Sequence, residues 1–232
     1  MNAKRIKQIL YDMGADLCGI ASVDRFDEAP EGYHPLDIFP PCKSVVVIAK
    51  AFPVGTILCN TTVPYTITRN MLSDILDKTV VQFSIEMERN GIIAIPTGTI
   101  SHTYLDKKTN RYRSIISSKH SAVAAGLGRI GRNTLVTTPE YGNMLWFSTI
   151  LMDIELEADP ILTGDPCPSG CSLCIDNCPV SALGNPEMDQ LACYAHAFHT
   201  EKGEEFKFKC NKCRTICPNC FGNKNKPIKL MK

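Results

Sequence analysis

The sequence predicts an α/β domain over residues 1–159, followed by a small metal-stabilised domain over residues 160–232. Three observations predict this. Short apolar runs of strand length alternate with segments of helical period as far as Met152. Composition shifts at Asp159-Pro160, beyond which aliphatic residues thin out and prolines follow cysteines directly. Nine of the twelve cysteines fall after residue 166. At 232 residues, 44% hydrophobic and 21% charged, the chain has room for one ordinary core and a small appendage, and its composition excludes disordered and collagen-like classes. No uncharged apolar run approaches the roughly 20 residues of a bilayer span, so no membrane partner is expected. The opening Met1-Asn2-Ala3-Lys4-Arg5-Ile6-Lys7 carries no apolar signal-peptide stretch, which points to a cytoplasmic chain.

Ala3 to Met13 places Ile6, Ile9, Leu10 and Met13 at helical spacing, closed by Gly14. Leu17 to Ala21 and Ser44 to Ala51 read as buried strands, with an irregular, proline-rich loop from Ala29 to Cys42 between them. Thr66 to Asn90 is the longest helical segment, with apolar positions at Ile67, Met71, Leu72, Ile75, Leu76, Val80 and Phe83. Gly91 is its expected left-handed cap, and Ile92 to Ile95 before Pro96 reads as a strand. Ser118 to Ala125 reads as a short helix running into Gly126-Leu127-Gly128-Arg129-Ile130-Gly131. Met144 to Met152, with the single Trp146, is another apolar strand. Periodicity fixes no strand order.

In a reducing compartment, clustered cysteines hold metal rather than disulfides. Cys167, Cys171, Cys174 and Cys178 are separated by three, two and three residues, with Pro179 behind the last. Cys193 stands alone. Cys210, Cys213 and Cys217 repeat the two-then-three spacing, with Pro218 behind the last. Bacterial ferredoxins use Cys-x2-Cys-x2-Cys-x3-Cys-Pro, in which three thiolates hold one [4Fe-4S] cluster and the fourth crosses to a second. That crossing assigns Cys167, Cys171, Cys174 and Cys217 to cluster one, and Cys178, Cys193, Cys210 and Cys213 to cluster two, in a bacterial ferredoxin-like domain. Zinc sites also use Cys-x2-Cys pairs, but zinc does not call for paired x3-Cys-Pro steps. The first step is one residue longer than the ferredoxin pattern, so Cys167 is the least regular ligand. Cys220 is left over as an unligated thiol. Cys18, Cys42 and Cys59 read as small core residues.

The run Ala125-Gly126-Leu127-Gly128-Arg129-Ile130-Gly131-Arg132-Asn133-Thr134-Leu135, the strand with Trp146-Phe147, and the cysteine pattern with its lone Cys193 before Tyr194 together resemble the epoxyqueuosine reductase family. Relatives of that family include the corrinoid-dependent reductive dehalogenases. The resemblance covers nearly the whole chain, more weakly over Leu17 to Ala21 and Ser44 to Phe52. It implies a nitroreductase-like α/β domain of the cobalamin-binding type, with a cluster near enough to reduce the corrinoid, and hence an oxidoreductase acting on an organic substrate. By position, the implied corrinoid contacts fall on Gly128, Asn133, Val136, Thr137 and Thr138, near Phe147, and on Ala195. They lie between the two domains and nearer cluster two. Glycines and small side chains let backbone approach a macrocycle closely. Read without the resemblance, Gly126 to Gly131 is equally a tight turn between helix and strand, or a phosphate-binding loop. A ferredoxin or flavodoxin is the implied electron donor.

The chain also departs from that family. Its enzymes carry an aspartate shortly before the glycine motif as proton donor, whereas Arg113-Ser114-Ile115-Ile116-Ser117-Ser118-Lys119-His120 holds no acid. His120 and Tyr112 are the expected catalytic substitutes, ahead of Tyr104 and Lys119. The family's C-terminal helical-repeat extension is not found before Lys232, so a small-molecule or nucleoside-like substrate is expected, and tRNA is disfavoured without being excluded. Phe206 to Lys232 carries seven lysines, one arginine and no acid. Among the ligands, residues 207 to 214 read as compensation for negatively charged clusters, and Lys224 to Lys232 as a solvated tail. The alternative function is a ferredoxin-type electron-transfer protein with no organic cofactor, docking to a partner enzyme. Two cubanes alone would not require so long a preceding domain.

Overall fold

The computed structural model describes residues 1–99, 103–184, 188–198 and 207–224. In chain order its first elements are α1 (Ala3–Asp12), β1 (Leu17–Ser22), α2 (Pro35–Ile38), β2 (Ser44–Ala51), α3 (Val63–Arg89) and β3 (Ala94–Gly98). Next come the β4–β5 pair (Tyr104–Asp106 and Arg111–Arg113), α4 (Ser118–Ala124), the β6–β7 pair (Arg129–Ile130 and Val136–Thr137) and β8 (Leu145–Met152). Three short helices follow: α5 (Leu173–Asp176), α6 (Gln190–Ala197) and α7 (Lys212–Thr215).

The apolar runs become a four-stranded sheet in the order β1-β2-β8-β3, with every neighbour antiparallel. Val46, Ile48, Ile150 and Met152 point to one face, against Ile6 and Leu10 of α1 and Leu76, Val80, Phe83 and Met87 of α3. Val45, Val47, Ala49, Phe147 and Leu151 point to the other, against Ala122 and Ala124 of α4 and Phe26, Ile116 and Val136. A sheet covered on both faces needs apolar residues at successive positions, which is why these strands read as continuous runs. Truncating a fully buried ring such as Phe83 to alanine would cost about 3–5 kcal/mol.

Several boundaries differ from the sequence reading for local reasons. The helix read from Thr66 begins at Val63, because Pro64 in the first turn removes only an amide with no helical partner. The strand read as Ile92 to Ile95 lies instead at Ala94–Gly98 and runs through Pro96, which is tolerated because β3 is an edge strand with a register shift between Pro96 and Gly98. The loop from Ala29 to Cys42 contains α2, started by Pro35 and capped by the His34 side chain. Helix α4 ends in a Schellman cap. Gly126, at φ +69°, donates to the Val123 carbonyl, and Leu127 donates to the Ala122 carbonyl.

Asp159, where composition changes, fastens the following segment to the α/β layer. Its carboxylate pairs with Lys7 and accepts from the Ile20 amide at 2.8 Å, while its backbone bonds Ile20 and Arg25. Among the described residues, no helix is long and apolar enough to cross a membrane.

Candidate metal centres

None of the twelve cysteines is in a disulfide. Each cysteine arm is built around one helical turn. Helix α5 carries Cys174 and delivers Cys178, whose amide donates to Ile175; α7 carries Cys213 and delivers Cys217, whose amide donates to Arg214. Cys193 lies on α6, started by the Asp189 carboxylate accepting from the Ala192 amide at 2.9 Å.

The thiols sort into two neighbourhoods. Burial pushes the Cys174 thiol up, followed by its neighbours Cys167, Cys217 and Cys171. The Cys217 thiol is likewise raised by burial and by Cys167 and Cys171. The Cys193 thiol is raised by burial, then by Cys210 and Cys178. Burial lifts Cys213 to about 11, opposed by Arg214 and reinforced by Cys193, Cys210 and Cys174. Cys178, Cys193, Cys210 and Cys213 line one cavity of ≈50 Å³. Cys178 therefore lies with Cys193, Cys210 and Cys213, and Cys217 with Cys167, Cys171 and Cys174. The donor set fits two four-thiolate clusters in this crossed arrangement.

The glycine motif and the Thr137–Met144 segment form the surface on which the cysteine arms sit. The Asn133 amide side chain donates to the Cys213 carbonyl at 3.1 Å. The Asn143 side chain donates to the Arg214 carbonyl at 3.4 Å, and its backbone amide to the Cys220 carbonyl at 3.2 Å. The Arg132 amide donates to Cys167 Sγ at 3.4 Å, and Gly131 stands beside the same sulfur. Gly142, at φ +58°, lies against the Asn219 and Cys220 carbonyls. Neither Asn143 nor Gly142 carries a spacing signal, and sequence reasoning missed both.

Arg214 is 3% exposed and carries no acidic partner among the described residues. Its guanidinium lies 5.2 Å from the Phe52 ring and 5.9 Å from Tyr65, and among the described residues its Nη1 has no hydrogen-bond partner. Rings continue from there: Phe52 stacks on Tyr65, Tyr65 meets Phe208, Phe208 meets Phe198, Phe198 stacks on Tyr194, and Tyr194 stacks on Tyr112 at 4.4 Å. This seam ties α6 to the α/β layer.

Of the residues assigned to a corrinoid, Gly128, Asn133, Val136, Thr137 and Thr138 meet around the β6–β7 pair, and Phe147 packs in the same core cluster as Val136. Gly128 is packed against the Thr137 carbonyl and the Val136 side chain, so its missing Cβ serves the β6–β7 pair. Asn133, Val136 and Phe147 are buried and engaged in hydrogen bonding or core packing, and Ala195 is exposed on α6. Only Thr137 and Thr138 line a larger cavity of ≈580 Å³, together with Arg129, Pro166, Pro218, Asn219 and Phe221. That cavity borders the chain neighbours of Cys167 and Cys217, on the cluster-one side rather than the cluster-two side.

Of the expected proton donors, Tyr112 lies on β5 against α6 and donates its backbone amide to Gln190 at 2.8 Å. His120 bonds Ser117 Oγ through Nδ1 at 2.7 Å, and partial burial of its ring, then Lys119, hold it below the usual histidine range. Tyr104 pairs with the Tyr33 hydroxyl, and Lys119 donates to the Thr134 carbonyl at 2.8 Å. Cys18 and Cys42 are core residues as read, whereas Cys59 is exposed, with its thiol directed to the Gly55 carbonyl. Cys220 is 2% exposed, beside Phe52 and Met144, and burial lifts its thiol to about 12. Lys224 is held over Tyr141 rather than free, and the rest of the basic tail lies outside the described residues.

Fold and site together define an α/β protein bearing an eight-thiol segment. No family model matches the chain. It is 27% identical to the epoxyqueuosine reductase of Bacillus subtilis over 273 residues, covering 94% of this chain and 64% of that protein. It is 27% identical to that of Staphylococcus aureus over 278 residues, covering 96% and 66%. Thus the chain spans just under two thirds of the length of these relatives. The fold is that of an epoxyqueuosine reductase solved with a tRNA-Tyr stem loop, at TM-score 0.67 and 21% identity over 94% of this chain and 64% of that one. A reductive dehalogenase described as B12-dependent aligns at TM-score 0.68 and 18% identity over 93% and 31%. The chain is thus a homologue of the epoxyqueuosine reductases and shares its fold with the reductive dehalogenases.

Proposed function

We propose that the chain is an iron–sulfur oxidoreductase of the epoxyqueuosine reductase type, in which residues 160–232 form a bacterial ferredoxin-like domain. The observation that carries this reading is the crossed grouping of eight thiols. Cys167, Cys171, Cys174 and Cys217 would hold one [4Fe-4S] cluster, and Cys178, Cys193, Cys210 and Cys213 the other. The paired x3-Cys-Pro steps, which zinc does not call for, support clusters over zinc. A low-potential donor such as ferredoxin or flavodoxin would supply the electrons.

The homology brings with it cobalamin as the electron acceptor, a group that supplies a reducible cobalt centre when bound. Of its assigned contacts, Thr137 and Thr138 line the larger cavity, beside Arg129 and Phe221. Epoxyqueuosine in tRNA is the first substrate to assay, since a solved homologue carries a tRNA stem loop, and this weighs against setting tRNA aside from sequence. Tyr112 is the better placed of the two proton-donor candidates: it stacks on the helix that carries Cys193, while the Nδ1 of His120 is engaged by Ser117. A second reading, an electron carrier docking to a partner enzyme, is favoured by the internal packing of Gly128, Asn133, Val136 and Phe147.

Anaerobically prepared protein should hold about eight iron and eight sulfide, with a visible band that bleaches on reduction. Stoichiometric zinc without iron would sink the iron–sulfur reading. Cobalamin titration, followed by its cobalt absorption bands, separates the two functions: saturable binding supports the reductase, and none supports the carrier.

A further inference from the structure

Helix α3 buries one face and leaves the other bare. Val63, Ile67, Met71, Ile75, Val81 and Ile85 are 41–58% exposed, while Leu76 on the opposite side is fully buried. At 3.6 residues per turn these six side chains fall on one side of the helix, interrupted by the exposed Asp74 and Lys78. An apolar face of this length on an exposed helix marks an interaction surface.

The face has a symmetry that selects its occupant. Counting outward from Leu76, Asp74 and Lys78 are two residues to either side, Met71 and Val81 five, Asn70 and Gln82 six, and Ile67 and Ile85 nine. Four pairs are thus matched in kind, apolar with apolar, amide with amide and acid with base, while the counterparts of Ile75 and Val63 are the charged Asp77 and Arg89. A two-fold axis passing the helix at the level of Leu76 sets two copies of α3 antiparallel and brings each residue opposite its counterpart. Ile67 then meets Ile85 of the second copy, Met71 meets Val81, and Asp74 meets Lys78. A two-fold interface requires this kind of self-complementarity, since both copies offer the same patch. Among the described residues, neither Asp74 nor Lys78 has an ion pair within its own chain.

We propose that α3 is the seam of a symmetric homodimer. The stripe from Ile67 to Ile85 spans about 27 Å, and one helix pair buries less than the roughly 800 Å² per partner of a standard interface. The dimer is therefore weak, with a dissociation constant on the order of 10–100 μM.

Anaerobic sedimentation of the full chain across that range tests the seam. Wild type should shift from monomer to dimer with concentration. Asp74→Lys and Lys78→Asp, each placing like charges across the axis twice, should weaken association about tenfold, and the double swap D74K/K78D should restore it. Ile67→Glu should be monomeric. All three positions are exposed, so unchanged far-UV and cluster spectra serve as the folding control. A wild type monomeric throughout overturns the proposal, as does a dimer indifferent to the single charge swaps, or a double swap that fails to recover.

Discussion

Gly142→Ala tests whether the cysteine arms are seated on the α/β layer as described. Gly142 has φ +58°, and a Cβ there would lie 2.4 Å from the Cys220 carbonyl oxygen and 2.5 Å from that of Asn219. Left-handed backbone costs alanine about 1–2 kcal/mol, and forcing atoms against backbone adds about 1–3 kcal/mol. Displacing the loop also weakens the Asn143 amide's bonds to Asn219 and Cys220, worth about 1 kcal/mol more. The expected loss is about 3–6 kcal/mol. Gly91→Ala is the control, because Gly91 has φ +74° with no atom within 4 Å of its would-be Cβ, so that change carries only the backbone strain. Anaerobic urea unfolding followed by Trp146 fluorescence should show the Gly142 variant less stable than the Gly91 variant by about 2–4 kcal/mol. Equal losses would refute the seating of the Asn219–Cys220 backbone on Gly142.

Other consequences follow from the same geometry. The double variant Cys178→Ala/Cys210→Ala removes two ligands of one cluster and should keep about four iron per chain, while Cys178→Ala/Cys217→Ala should damage both clusters; loss of all iron from the first variant contradicts the crossing. Arg214→Gln removes a buried positive charge beside the thiols and should lower a cluster potential by about 40–90 mV in dye-mediated titration, while Arg214→Lys retains it; an unchanged potential in the glutamine variant ends the compensation argument. Burial lifts the Cys18 thiol to about 12, so the folded chain keeps a proton that the unfolded chain releases above about 8.5. Stability from this group is therefore fully present below that pH and falls as pH rises toward about 12, by up to about 1.4 kcal/mol per unit. Cys18→Ala should flatten the urea midpoint between pH 9 and pH 10, and an unaltered slope would count against a protonated buried thiol.

The fold was legible wherever one element's own pattern sufficed. The strand Ser44–Ala51 and the body of α3 stand in the sequence because a sheet covered on both faces leaves a continuous apolar run, and a long helix leaves a stretch without glycine or proline from Tyr65 to its Gly91 cap. The cysteine spacings likewise show which thiols share a run, since a helical turn between Cys174 and Cys178, or between Cys213 and Cys217, is a short-range matter. The antiparallel order β1-β2-β8-β3 was not legible, because β8 enters between β2 and β3 from far along the chain.

What the sequence by itself determined is thus the inventory: an α/β layer, a cysteine segment beginning near Asp159, and two cysteine runs each ending in an x3-Cys-Pro step. The tertiary structure alone decided what the glycine motif touches. Gly128 meets β7 and Gly131 stands beside Cys167, contacts made with residues distant in sequence. It also decided that Arg214 is buried with no acidic partner among the described residues and that α3 turns six apolar side chains outward. The physical reason is the same in each case. Periodicity and spacing report a residue's local geometry, whereas its burial, and which backbone a missing Cβ makes room for, depend on chains brought together only by folding.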